Sequence, residues 1–217
     1  MTAASDSYKN TLFQEEVAQG YRSLFELGFL PTEAFGDVSV RDPQTNTVYI
    51  TMRPGTFYVT SPAEYHGCDT AIVSMDGTLL EENTPPADTL KMHLAIYKAR
   101  PDVNAVVHNL TKWSSLFALR KQTLPLVLAE QKGLGGEIRC VTDAPVMSDE
   151  YCEKVVAALE GRKAALLHEF GAVAVAGTVD RAINYLAWLE SVARKTLRAS
   201  LIGTPIVIPM GSPHAKE

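Results

Sequence analysis

The feature that most constrains the fold is a change of hydrophobic period along the chain. Residues 10–28 place Phe13, Val17, Tyr21 and Leu24 at helical spacing and end at Gly28, which predicts an amphipathic first helix. The period then shortens. Val38, Val40, Val48, Ile50, Tyr58, Val59, Ile72 and Val73 fall in short runs divided by Asp42-Pro43, Pro54-Gly55 and Asp76-Gly77, so they read as strands joined by turns. Helix and strand alternate after that. The pattern predicts a helix over 87–99, opened by Pro85 and Pro86 and closed before Arg100-Pro101, then a strand over 104–108. A helix over 112–120, a strand over 137–141, a helix over 149–159 and strands over 164–167 and 172–175 follow. The last helix starts at the capping residue Thr178 and carries Ala182, Leu186, Leu189, Ala193 and Leu197 on one buried stripe. Turn-linked strands early and helix-strand alternation later imply an α/β sandwich around a mixed sheet, not an all-parallel one.

No repeat, low-complexity tract or Gly/Ser linker divides the 217 residues, so the expectation is a single domain over 1–217, with a core of about 8–200 and a tail over 203–217. A formal net charge of -5, dispersed along the chain, offers no basic field for nucleic acid. No window approaches the apolar length of a membrane span, and the N-terminus lacks the pattern of a secretory signal. Cys68, Cys140 and Cys152 are widely spaced and form no CxxC pair, which reads as reduced thiols rather than a disulfide framework or a zinc knuckle. The expected setting is the cytoplasm.

Several motifs occur in a fixed order. They are Gly36-Asp37-Val38-Ser39-Val40-Arg41, Ile50-Thr51 before a Gly turn, Asp76-Gly77, the Pro86 segment before a helix containing His93, RPDVNAVVH ending at His108, and AALLHEFG ending at Gly171. Together they resemble the class II aldolase/adducin family over about residues 8–200. The resemblance implies a three-layer sandwich with a central mixed, largely antiparallel sheet flanked by helices. It also implies a homotetramer with sites at subunit boundaries, acting on a small-molecule substrate, and a carbon-carbon lyase chemistry in which zinc holds an enediolate.

Set against that family, this chain departs at the positions that carry the chemistry. The family's zinc clamp is a His-x-His pair plus a third histidine. Here His108 matches the first, Leu110 stands at the second and Phe170 at the third, so the sequence implies no zinc and no other cofactor. The family's proton-transferring glutamate lies four residues before the helix histidine. That count reaches Thr89, and a one-residue slip reaches Asp88. The family's phosphate donors become Asp37, the turn containing Arg53 and Gly55, and Ala87-Asp88. Two carboxylates beside a phosphate dianion repel it by roughly 1 kcal/mol or more per close pair, which points to a non-phosphorylated substrate. Arg53 can grip a planar carboxylate or lie solvated on its turn.

The candidate catalytic residues are therefore His108, Thr89, Asp88, His168 and Glu169, and the candidate substrate-binding residues are Arg53, Asp37, Gly55 and Ala87. His93 reads as structural. His66 and His214 carry no argument for a site, Lys132 reads as a solvent-facing loop lysine that could form a Schiff base only if buried, and the glycines of GLGG match no nucleotide motif. Two classes of function fit: a divergent lyase that breaks a carbon-carbon bond next to a carbonyl or carboxylate without zinc, and a non-catalytic assembly protein comparable to the adducin branch.

Overall fold

The computed structural model describes residues 3–30, 36–53, 61–81 and 84–210, with side chains from residue 8. The described residues form one seven-stranded sheet with the strand order β3-β2-β1-β4-β7-β6-β5. Its strands are β1 (Gly36–Arg41), β2 (Val48–Thr51), β3 (Thr70–Val73), β4 (Ala105–Asn109), β5 (Cys140–Val141), β6 (Ala164–Leu167) and β7 (Gly171–Ala176). Every neighbouring pair is antiparallel except β5 with β6. Helices α1 (Ala3–Glu26), α3 (Ser114–Leu119) and α5 (Val179–Ser200) cover one face, and α2 (Leu90–Ala99) and α4 (Asp149–Ala158) cover the other. The architecture is a three-layer α/β sandwich with a mixed, largely antiparallel sheet. No helix among the described residues is long and apolar enough to cross a membrane.

Strand alternation decides which side chain meets which layer. On β4, Ala105 and Val107 pack toward α5 while Val106 packs toward α2 and α4. On β7 the α5 side receives Ala172, Ala174 and Ala176, and the opposite side receives Val173 and Val175. β1 obeys the same parity. Val38 and Val40 enter the core beneath α1 and α5, so Asp37, Ser39 and Arg41 project toward α2. A row of polar side chains is thereby sealed under a helix. The buried guanidinium of Arg41 is met by the carbonyls of Tyr97, Pro101 and Val103 and by Asn104 Oδ1, and it lies over the Tyr97 ring at 5.3 Å.

Element ends differ from the sequence expectation for local reasons. The helix expected over 87–99 starts at Leu90, because Pro86 bridges Met52 and the Ala87 amide donates to Thr51, which keeps 86–87 extended. The helix expected over 112–120 starts at Ser114. Glu190 of α5 accepts hydrogen bonds from the amides of Lys112, Trp113 and Ser114 at 2.7–3.0 Å, so those residues form a cap instead of a turn of helix. The strand expected over 137–141 shrinks to Cys140–Val141, since Ile138 bridges Leu124 instead. Thr178 precedes α5 in extended conformation, but its hydroxyl makes no capping bond. Tyr58 and Val59 lie outside the described residues.

Candidate active site

The register of β1 against β4 sets Asp37 directly across from His108, and their parity points both toward α2. Helix α2 contributes His93 and, one turn later, Tyr97 on the same face. The result is a buried chain of hydrogen-bonding groups. Tyr97 Oη lies 2.7 Å from Ser39 Oγ, and Ser39 Oγ lies 2.7 Å from His93 Nδ1. His93 Nε2 is 2.6 Å from Asp37 Oδ1, an ion-pair distance whose approach is too oblique for a hydrogen bond. Asp37 Oδ2 is 2.9 Å from His108 Nδ1, and His108 Nε2 is 2.8 Å from the Phe170 carbonyl.

Donor and acceptor accounting assigns the protons. A carbonyl only accepts, so His108 Nε2 carries hydrogen; Nδ1 faces a carboxylate, so it carries hydrogen as well. Both ring nitrogens of His108 thus face acceptors, an environment that favours the imidazolium. Burial alone would lower its pKa, but the Asp37 charge, the hydrogen bond to Asp37 and the Phe170 carbonyl together raise it. Burial would raise Asp37, yet His108 and His93 outweigh it and hold the carboxyl far below the usual carboxylate range. His93 faces the same carboxylate through Nε2–H, which leaves Nδ1 to accept from Ser39, and Ser39 to accept from Tyr97. Burial pushes the Tyr97 phenol up, so it remains a donor.

This network forms one wall of a cavity of about 320 Å³ lined by Gly36, Asp37, Arg53, Ala87, Asp88, Thr89, His108, Leu110 and Phe170. The Phe170 ring stacks on His108 with centroids 4.8 Å apart and planes 14° from parallel. Gly171 makes this placement feasible. Its φ is +81°, and a Cβ there would stand 2.1 Å from the Asn109 carbonyl, so only glycine lets the turn close onto β4. Arg53 and Asp88 sit at the mouth, paired at 2.7 Å with about half or more of each side chain exposed. Thr89 is buried and its hydroxyl has no hydrogen-bond partner. The two readings of the acid/base position thus separate in space: Thr89 turns inward and Asp88 outward. A larger apolar groove of about 800 Å³ between α3 and α5 contains only Arg120 as a charged group.

Three expectations need correction. His168 and Glu169 do not line the cavity. Leu167 packs toward α4, so the next residue points to the opposite face, where His168 Nδ1 donates to the Ala118 carbonyl at 3.0 Å. Glu169 takes a φ of +61° in the turn before β7 and is exposed. Asp37 is not a free charge in a substrate pocket: it is 4% exposed and both oxygens face histidines, so its repulsion of an anion is largely cancelled. His93 is structural in the sense expected, but it belongs to the site because it holds Asp37. Ser39 and Tyr97 were not singled out. Their signals were the alternation Asp37, Ser39, Arg41 on a strand and the i, i+4 spacing of His93 and Tyr97. Gly55 lies outside the described residues.

The zinc that the resemblance implies needs about three protein ligands. Of the three inherited ligand positions only His108 carries a donor side chain, since Leu110 and Phe170 offer none. Among the described residues no group of three His, Cys, Asp or Glu stands close enough to hold an ion. The donor set does not fit zinc.

Comparison with known proteins agrees with the fold and the motifs. A 5-deoxy-D-ribulose 1-phosphate aldolase of Bacillus thuringiensis serovar kurstaki is 26% identical over 174 residues, 80% of this chain and 79% of that protein. Decarboxylase NovR of Streptomyces niveus is 26% identical over 199 residues, 88% of this chain and 71% of that protein. A solved L-fuculose 1-phosphate aldolase superposes with a TM-score of 0.84 at 25% identity, covering 91% of this chain and 90% of the other. These relatives are aldolases and a decarboxylase, a set that does not favour the assembly role. The family model for the class II aldolase and adducin N-terminal domain matches residues 15–197, and this chain belongs to that family.

Proposed function

We propose that this chain is a carbon-carbon lyase that removes a carboxylate from a small, non-phosphorylated acid whose carbonyl lies β to that carboxylate, without zinc. The observation that carries this reading is the pairing of both His108 nitrogens, one to the Asp37 carboxylate and one to the Phe170 carbonyl, which keeps a positive charge in the cavity wall where the family has a metal cation. In the reaction the bond between the carboxylate carbon and the α-carbon breaks, its electron pair passes into the carbonyl on the far side of the α-carbon as an enolate, carbon dioxide leaves, and the α-carbon takes a proton from water. The His108 charge stabilises the enolate oxygen. Arg53, released from Asp88, is placed to receive the carboxylate at the mouth.

Loss of carbon dioxide suits the cavity better than an aldol cleavage for a reason of proton accounting. An aldol cleavage needs a base to take a hydroxyl proton. Among the described lining residues Asp37 is held as a very weak base, Asp88 is an exposed side chain at the mouth, and Thr89 is an alcohol. Decarboxylation needs no such base. Ala87 also lacks the donor that a phosphate dianion requires. An abandoned site fills with apolar side chains, whereas this one retains about 320 Å³ and buried polar atoms without partners, which supports catalysis over assembly. A homo-oligomeric, tetrameric state is part of the same proposal, supported by the exposed apolar side chains of Leu201, Ile202 and Ile206 beyond α5; light scattering that reports a monomer would contradict it.

The test is carbon dioxide release from a panel of small 3-oxo acids by purified protein in chelator-treated buffer. Release that is insensitive to the chelator is the expected result. Release that depends on added zinc, or cleavage of ketose phosphates in its place, would overturn the reading.

A further inference from the structure

Three buried polar atoms at or behind the cavity wall have no hydrogen-bond partner, namely Asp37 Oδ1, Thr89 Oγ1 and His93 Nε2, the first and last 2.6 Å apart. Thr89 and Asp37 are each 4% exposed and both line the cavity. Thr89 stands one turn before His93 on the same helix face, and its hydroxyl, though at the start of α2, makes no capping bond. The oblique 2.6 Å approach of His93 leaves a lone pair of Oδ1 unfilled. Buried groups in this state cost stability unless something completes them.

We infer that this part of the wall is a subsite for a hydroxyl group of the ligand, which donates to Asp37 Oδ1 and accepts from the Thr89 hydroxyl. A fully ionised group only accepts and would leave Asp37 Oδ1 without a donor, and an apolar group would leave both Asp37 Oδ1 and Thr89 Oγ1 unsatisfied. A hydroxyl fills one acceptor and one donor at once. The inference rests on the carboxylate reading above and narrows it: the substrate is a hydroxylated acid, with its carboxylate at the Arg53 mouth and its hydroxyl at the Thr89 end.

The distance between the two ends of the ligand is tested with a ladder, 2-, 3- and 4-hydroxybutyrate against butyrate, each titrated into the full chain by ligand-observed NMR. At least one hydroxybutyrate is expected to bind about tenfold or more tighter than butyrate, the scale of a hydrogen bond to a charged group. Thr89→Val should erase that gap, and Thr89→Ser should restore it. Because the hydroxyl has no partner in the free protein, Thr89→Val should leave the melting temperature unchanged or raised. A fall of more than about 4 °C would mean that the hydroxyl is already satisfied and would overturn the inference. Butyrate binding with no gain from any hydroxyl would indicate a water only at the subsite and would sink this inference while leaving the carboxylate reading intact. Failure of all four acids to bind would sink both.

Discussion

Two carboxylate-cation contacts of nearly equal length sit on the same cavity and do opposite things. Asp37 meets His108 at 2.9 Å with both side chains almost wholly buried, whereas Arg53 meets Asp88 at 2.7 Å with both side chains at least half exposed. At the mouth, water screens the charges, and neither partner is bound to the other strongly enough to resist a ligand. Beneath α2 the same contact is enclosed by Ser39, His93, Tyr97 and the Phe170 carbonyl, so each charge depends on the other. Distance alone says little. Burial and the remaining hydrogen bonds make the inner pair a fixed part of the fold and the outer pair an exchangeable latch.

That contrast is broken first by removing one inner partner. Asp37→Ala leaves an uncompensated imidazolium in the core and should cost roughly 3–5 kcal/mol, read as a fall in the denaturant midpoint at constant slope. His108→Asn should retain the fold while lowering carbon dioxide release by roughly 10²-fold or more, about 2.7 kcal/mol. Acidity gives the same contrast without mutation. His108 has a raised pKa, so its contribution to stability is full below the ordinary histidine value near 6.5 and is lost as pH rises through the raised value. Asp37 has a depressed pKa, so its contribution is full above about 3.9 and is lost only as pH falls through the depressed value. Activity should follow the His108 proton and fall on an alkaline limb above about 6.5, and that limb should be absent in the residual activity of His108→Asn. The smallest effect belongs to the mouth: Asp88→Ala should change stability by less than about 0.5 kcal/mol in a melting experiment, yet strengthen binding of small carboxylates by freeing Arg53.

The sequence carried the layers of this molecule well and the inner wiring of its site poorly. Periodicity located α1, β1, β2, β4, α4, β6, β7 and α5, because each buries a continuous stripe or face whose spacing survives in one dimension. It misjudged α3 and the start of α2, whose ends are decided by Glu190 and by the Met52-Pro86 bridge, contacts between residues far apart in the chain. The motifs found the cavity, since Asp37, Arg53, Ala87, Asp88, Thr89 and His108 all line it. They did not give Asp37 its role. That required the register that sets it across from His108 and the packing of α2 that brings His93 to 2.6 Å. His168 was misplaced because its neighbour in sequence, Leu167, points to the other face of β6, and one residue of parity separates the cavity from the Ala118 carbonyl.

The central claim is that His108 is an imidazolium fixed by the protein in place of a metal cation. Nitrogen-15 NMR of the imidazole side chains, recorded on the full chain at neutral pH before and after addition of zinc, measures this directly. The account predicts that Nδ1 and Nε2 of His108 are both protonated and that zinc leaves both signals unmoved. A His108 nitrogen without hydrogen, or one that shifts into the metal-bound range on adding zinc, would contradict it.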